Sequence, residues 1–242
     1  MKFNINYIIS CIVVFLVLIV LYKLYMTYAG YVLGDFHMSL YHKLGYGKKN
    51  GGLWFKYNKK DWDIIIPRVC NLMNLPPKTS PQRLKLLDAG FGSGNFIHYF
   101  RKNYNLDIYG FDKSHEIVRD YIKSTNSDPN KFRQAALPDL PYEPKSFDRI
   151  ICYGVIIYLS DKEQCTALNR MINLLRPGGI LIIGGQVIWN YKYLNNFKDV
   201  KVCLQNQKLN SVRITYIPEK DIFGKKISNK YFQSNIIKIQ KV

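Results

Sequence analysis

Between residues 86 and 95 the chain reads Leu86-Leu87-Asp88-Ala89-Gly90-Phe91-Gly92-Ser93-Gly94-Asn95. An apolar run ends in a carboxylate, and glycine then takes every second position up to a polar residue that can open a helix. Glycines at that spacing let a backbone adopt φ > 0 and approach a bound ligand closely. The pattern is not the dinucleotide fingerprint G-x-G-x-x-G, because Asn95 stands three residues after Gly92. Nor is it a phosphate-cradling loop, since no Gly-Lys-Ser/Thr follows. A structural turn would account for one or two of these glycines but not for their register with Asp88. A second carboxylate closes the run Tyr109-Gly110-Phe111-Asp112. An acid at the C-terminal end of a second strand is placed to bond the two hydroxyls of a ribose.

Such residues need a scaffold, and the pattern around them supplies one. From Arg83 onward short apolar runs alternate with amphipathic stretches. The runs predict strands over Leu84–Ala89, Asp107–Phe111, Phe132–Ala135, Arg149–Tyr153 and Gly179–Gly184. Helical spacing predicts helices over Asn95–Asn103, Ser114–Ser124 and Lys162–Leu175. Strands alternating with helices imply a parallel sheet covered on both faces. Past Gln186, Val200–Gln205, Ser211–Tyr216 and Asn235–Gln240 read as strands, which would give the sheet an antiparallel C-terminal end. Upstream, Asp61–Leu75 has apolar residues at helical spacing with Pro67 inside, and Pro76-Pro77 ends it.

The N-terminus raises a different expectation. Ile8 to Tyr22 carries no charge, and Tyr7 to Met26 extends it to a length that can cross a bilayer, with Lys23 snorkelling and Tyr7, Tyr22 and Tyr25 at the interfaces. A signal anchor, a cleaved signal peptide with Thr27-Tyr28-Ala29 as processing site, and a buried core helix compete; the anchor fits best. Basic residues are denser after the segment than before it, which would place the rest of the protein in the cytoplasm as a single-pass membrane protein. The expected organisation is then an anchor over 1–28, a basic aromatic connector over 29–60 and a catalytic domain over 61–242. The connector holds Trp54, Phe55 and Tyr57 among Lys56, Lys59 and Lys60.

The 242 residues carry 35 Lys+Arg against 17 Asp+Glu, a net charge of +18, and 48% are hydrophobic. That apolar content excludes a largely disordered chain, and the length suits one domain plus an extra segment. The charge divides unevenly: +7 over residues 1–80, +3 over 81–189 and +8 over 190–242. Two basic arms around a near-neutral middle suit an anionic partner, a membrane surface or a nucleic acid. The excess also fits plain surface lysine usage, with 26 Lys against 9 Arg. Five cysteines (Cys11, Cys70, Cys152, Cys165 and Cys203) lack CxxC spacing. They indicate neither a disulfide framework nor a metal site, and most read as buried or free thiols in a reducing compartment.

Four segments, DAGFGSG, YGFDKS, LPYEPKSFDRIICYGVIIYLSD and LLRPGGILII, stand in order over residues 84–186. Together they resemble the class I S-adenosylmethionine-dependent methyltransferases, and within those the small-molecule and lipid branch of quinone and sterol methyltransferases. The resemblance implies an α/β fold with a Rossmann-like doubly wound sheet, mostly parallel with an antiparallel C-terminal end, to which the N-terminal transmembrane helix is added. It implies S-adenosylmethionine as cofactor. Asp88 with the backbone of Gly90, Gly92 and Gly94 would hold its methionine part. Asp112 would bond the ribose, Lys113 would lie beside the adenine, and Ala136 and Leu137 would clamp the ring. Cys152 and Tyr153 would flank the sulfonium and face the acceptor. The chain departs from the family where an acidic residue often stands near Ala136, with Asp139 as a substitute one turn away. It departs again where His often follows the fourth strand and Ile157-Tyr158 stands here.

His98 and His115 read as surface residues, which leaves Tyr153 and Tyr158 as acceptor-side candidates and no assigned base. No Asp/Asn-Pro-Pro-Tyr/Phe and no Pro-Cys follows the fourth strand. The expected activity is a membrane-anchored methyltransferase acting on a small or lipid-like acceptor. A membrane contact through residues 7–26 is then a partner, and nucleic acid is disfavoured. A catalytically weak binding protein and an RNA methyltransferase are the alternatives.

Overall fold

The computed structural model describes residues 13–21, 59–156, 159–185, 200–204, 210–223 and 235–242. Seven strands form one sheet: β1 Leu84–Ala89, β2 Leu106–Asp112, β3 Phe132–Gln134, β4 Phe147–Tyr153, β5 Leu175–Gly184, β6 Val212–Pro218 and β7 Asn235–Lys241. Their spatial order is β3-β2-β1-β4-β5-β7-β6. The first five pair in parallel, and β7 runs antiparallel to both β5 and β6. The chain therefore winds outward from β1 in both directions, and the carboxyl ends of β1 and β4 lie side by side at the reversal. Ligands bind in such sheets at that switch point.

Side-chain alternation along the strands fills two cores. Leu86, Ile108, Ile151, Ile180 and Ile182 face one side, where α1 (Lys59–Asn71), α2 (Asn95–Asn103) and α3 (His115–Thr125) cover them. Leu87, Ala89, Ile150, Leu181 and Ile183 face the other, under α4 (Asp161–Leu174) and the helical residues 200–204. Strands buried on both faces read as continuous apolar runs, which is why the parallel strands were legible. Ser114 caps α3, its hydroxyl accepting from the Ile117 amide at 3.3 Å, and Ser160 and Glu163 form a capping box on α4. The α1 helix runs through Pro67. Arg68 donates to the Ile222 carbonyl in α5 (Glu219–Phe223), while Arg149 holds the carbonyls of Met73 and Asn74 beyond its end.

Three expectations are corrected. No helix among the described residues is long and apolar enough to cross a membrane. The transmembrane helix therefore drops out of the fold class, and with it the membrane-anchored form of the activity, the membrane partner at residues 7–26 and the single-pass placement facing the cytoplasm. The flanking tyrosines, the signal-peptide site and nearly all of the connector lie outside the described residues.

Next, the strand expected at Val200–Gln205 is helical over 200–204. Val200 and Leu204 are buried and Lys201 and Val202 exposed, so an i,i+4 spacing decides the local structure over β propensity. Third, Cys165 of α4 and Cys203 are joined by a disulfide, so the thiol reading fails for this pair. Nothing in the sequence brings them together, because they stand 38 residues apart. Asn169 spans the same junction, its amide donating to the carbonyls of Cys165 and Cys203 at 2.9 Å each. Cys70 and Cys152 are free and buried.

Closing a loop of this length constrains the unfolded chain by about 3–4 kcal/mol. Reduction, or Cys203→Ser, is expected to lower the unfolding free energy by that order. Peptide mapping of unreduced protein should recover the Cys165–Cys203 link and show Cys70 and Cys152 alkylated only after denaturation.

Candidate functional site

The carboxyl ends of β1, β2 and β4 converge on the glycine loop. Asp88 lies near the end of β1, 3% exposed, and its Oδ2 has no hydrogen-bond partner. Burial first, and the nearby Asp112 second, push its pKa from 3.8 up to about 8. A buried polar atom left without a partner is costly, and such groups collect where a ligand completes them. Asp112 ends β2 and is 7% exposed. Its carboxylate is aimed by two backbone amides: Gly92 N–H donates to Oδ2 and Ser114 N–H to Oδ1, each at 3.0 Å. The amides of Gly90 and Phe91 donate to the Phe111 carbonyl at 2.8 and 3.1 Å, fastening the loop to β2.

The three loop glycines all have positive φ, but space divides their roles. A Cβ on Gly90 would lie 2.4 Å from Val155, and one on Gly94 would lie 2.5 Å from the Tyr121 ring. A Cβ on Gly92 would meet nothing within 4 Å. Gly90 and Gly94 thus close the loop onto its own protein, whereas the space beside Gly92, whose amide holds Asp112, is open.

Beyond β2, Lys113 is exposed, and its carbonyl accepts from Gln134 Nε2 at 3.1 Å. The Ala135 amide donates to the Asp112 carbonyl at 3.1 Å, which carries Ala136 and Leu137 alongside Asp112. Ala136 is exposed and Leu137 buried, while Asp139 is exposed. Cys152 and Tyr153 leave β4 toward opposite faces. Cys152 packs with Leu87 and Ala89; burial and then the Asp88 charge push its thiol up to about 12, against a backbone hydrogen bond from Ile156. It is a neutral packing group, not a thiolate. Tyr153 packs against Phe96 at 5.3 Å and Trp62 at 6.2 Å between ring centroids. His98 and His115 are exposed, and Tyr158 lies outside the described residues.

One buried acid escaped the reading of the sequence. Glu219 opens α5 and is 1% exposed; the Gly185 amide at the end of β5 donates to its Oε1 at 3.4 Å. Its only trace in the sequence is as one of three acids among residues 190–242.

The strand order, five parallel strands extended by an antiparallel pair, and a glycine loop with carboxylates on β1 and β2 define the class I S-adenosylmethionine-dependent methyltransferase fold. Residues 87–183 match the family described as "Methyltransferase domain". The chain is 32% identical over 108 residues to methyltransferase GfsG of Streptomyces halstedii, a match covering 43% of this chain and 38% of that protein. It is 28% identical over 133 residues to the tRNA U34 carboxymethyltransferase of Nautilia profundicola, covering 52% and 39%. The matched region is thus less than half of either protein.

Among solved structures, the magnesium protoporphyrin IX methyltransferase of Synechocystis PCC 6803 with bound S-adenosylmethionine superposes with a TM-score of 0.50 at 19% identity, covering 76% of this chain and 79% of that one. That likeness speaks for the fold. Residues 87–183 are therefore a class I methyltransferase domain, an enzyme domain whose cofactor is S-adenosylmethionine. The comparisons do not single out the quinone and sterol branch. With a tRNA-modifying enzyme among the relatives, nucleic acid can no longer be set aside on missing motifs alone.

Two outcomes follow from the geometry. A pKa raised on folding contributes stability that is fully present below the unfolded value near 4 and is lost as pH rises through about 8. The melting temperature of the cofactor-free protein should therefore fall from pH 5 to pH 9. Asp88→Asn should flatten that fall, leaving the variant about 5 °C above wild type at pH 9 by differential scanning calorimetry. Gly90→Ala should cost about 2–4 kcal/mol in denaturant titration through strain and the Val155 clash. Gly92→Ala should cost only about 1 kcal/mol.

Proposed function

We propose that the chain transfers the methyl group of S-adenosylmethionine to a small-molecule acceptor. The observation that carries this is the buried Asp88 oxygen with no partner, facing a loop left open at Gly92 and next to a carboxylate aimed by two amides. A ligand with an ammonium at one end and vicinal hydroxyls nearby suits that arrangement.

When bound, the cofactor supplies a methyl group on positively charged sulfur, already activated for displacement. The chain's own part is to bind, align and exclude water. Asp88 would take the α-ammonium and hold it in a dry site where a charge pair counts for more. Gly90, Gly92 and Gly94 would let the backbone run close along the methionine part. Asp112 would accept from the ribose hydroxyls, with Lys113, Ala136 and Leu137 around the adenine. Cys152 and Tyr153, ending β4, would bound the sulfonium end. The aromatic cluster of Trp62, Phe96 and Tyr153 favours an acceptor with an apolar body. That fits the motif resemblance to the quinone and sterol branch.

An RNA acceptor is the second reading. It is favoured by the net charge of +18 and by the tRNA-modifying relative.

Titration calorimetry with S-adenosylmethionine should give binding by the full chain, and absence of binding at millimolar cofactor would sink both readings. Asp112→Ala should weaken that binding at least tenfold with the far-ultraviolet spectrum unchanged; an unaltered affinity would refute the ribose role. Labelled-methyl transfer to pooled small-molecule extract rather than to total RNA is the expected result, and the reverse result would select the second reading.

A further inference from the structure

We propose that the Cys165–Cys203 pair is a redox site: a dithiol opens the bond, and opening it weakens the hold of the glycine loop on S-adenosylmethionine. This rests on the methyltransferase reading and adds to it a control that the reading does not contain. Access singles the pair out. Both cysteines are half-buried, and exposed residues flank the bond, Lys162 and Thr166 on α4 and Lys201 and Val202 beside Cys203. Cys70 and Cys152, by contrast, are 1% and 0% exposed. Among the described cysteines, an attacking thiolate can reach only the bonded pair.

What the bond holds follows from the packing. The helical residues 200–204 are fixed to the domain by the link to Cys165, by the Asn169 amide on the Cys203 carbonyl at 2.9 Å, and by burial of Val200 and Leu204. The core that takes those two side chains also holds Ala89, Cys152 and Ile156, and Val155 packs against it. Ala89 ends β1, Gly90 follows it, and Val155 fills the space that a Cβ on Gly90 would need. The linked segment and the glycine loop thus rest on one core. A close-packed interior passes a displacement of one member on to the others.

In the opening step, a thiolate of the dithiol attacks one sulfur, the S–S bond breaks, and the other cysteine leaves as a thiolate. The second thiol of the reductant then displaces the first cysteine and closes its own disulfide. Two electrons and two protons pass from the dithiol to Cys165 and Cys203, which end as thiols. The Asn169 bonds to the Cys165 and Cys203 carbonyls use neither sulfur. The thiols therefore stay neighbours, and a small disulfide re-forms the link by the reverse exchange. The coupling is reciprocal: if the bond favours cofactor binding by some factor, bound cofactor protects the bond by the same factor.

The test compares the full chain in its oxidised form and after reduction with dithiothreitol. Reduced protein should keep its far-ultraviolet spectrum and lose amide-exchange protection at residues 201–204 by about tenfold or more. It should bind S-adenosylmethionine about fivefold or more weakly in titration calorimetry. Saturating cofactor should shift the dithiothreitol equilibrium toward the bonded form by that same factor, and reoxidation should restore the affinity. A double Cys165→Ser, Cys203→Ser variant should bind like reduced protein whether or not dithiol is present. Equal affinity of the oxidised and reduced forms overturns the proposal. So does unchanged exchange at 201–204, or global unfolding on reduction, which would make the bond a staple and no switch. Absence of cofactor binding by the oxidised chain falls on the methyltransferase reading, and the exchange comparison then decides separately whether the bond governs the segment.

Discussion

Everything at the functional end of this molecule depends on holding two carboxylates close together in a dry place. Asp88 and Asp112 sit on adjacent parallel strands, Asp112 two residues beyond Gly110, which pairs with Asp88, and the charge of Asp112 adds to the cost of ionising Asp88. Water would remove that tension. The sheet keeps water out by burying β1 on both faces, and the loop keeps the strands in register by tying the Gly90 and Phe91 amides to Phe111. Neither device would serve if a side chain stood at Gly90, because Val155 already fills the space. The site is thus a strained arrangement maintained by a well-packed fold, and a cation is the natural ligand to relax it.

Much of this was legible because the physics that fixes it is local. The parallel strands announce themselves as short apolar runs, two of which close on or beside a carboxylate, and the glycines declare a backbone that needs positive φ. What stayed hidden depends on contacts between distant segments. The Cys165–Cys203 link comes from the helical residues 200–204 packing against α4, and the place of Glu219 from how the C-terminal hairpin folds back; no spacing encodes either. Val200 to Leu204 shows the opposite failure. Its residues have strand propensity, but two buried positions four apart settle it as a helix. The N-terminal apolar run suggested a crossing by its length, its lack of charge and its flanking tyrosines, yet no helix among the described residues is long and apolar enough for one.

The division between Gly90, Gly92 and Gly94 shows how one motif serves two ends. Two of the glycines are required by the protein's own side chains and one is not. A motif match treats the three alike, yet only the open one speaks of a ligand. The same distinction separates Cys152 from Tyr153: neighbours in sequence, they join different cores, and only the tyrosine belongs to the aromatic group beneath α1.

The aromatic group and the acid beside it are assembled from the two ends of the domain, Trp62 before the first strand and Glu219 after the sixth. The segment that matches the methyltransferase family, residues 87–183, contains neither. The outer segments and the central one can therefore diverge at different rates. A lineage could exchange its outer segments while the central hundred residues, and every resemblance detected through them, stayed the same.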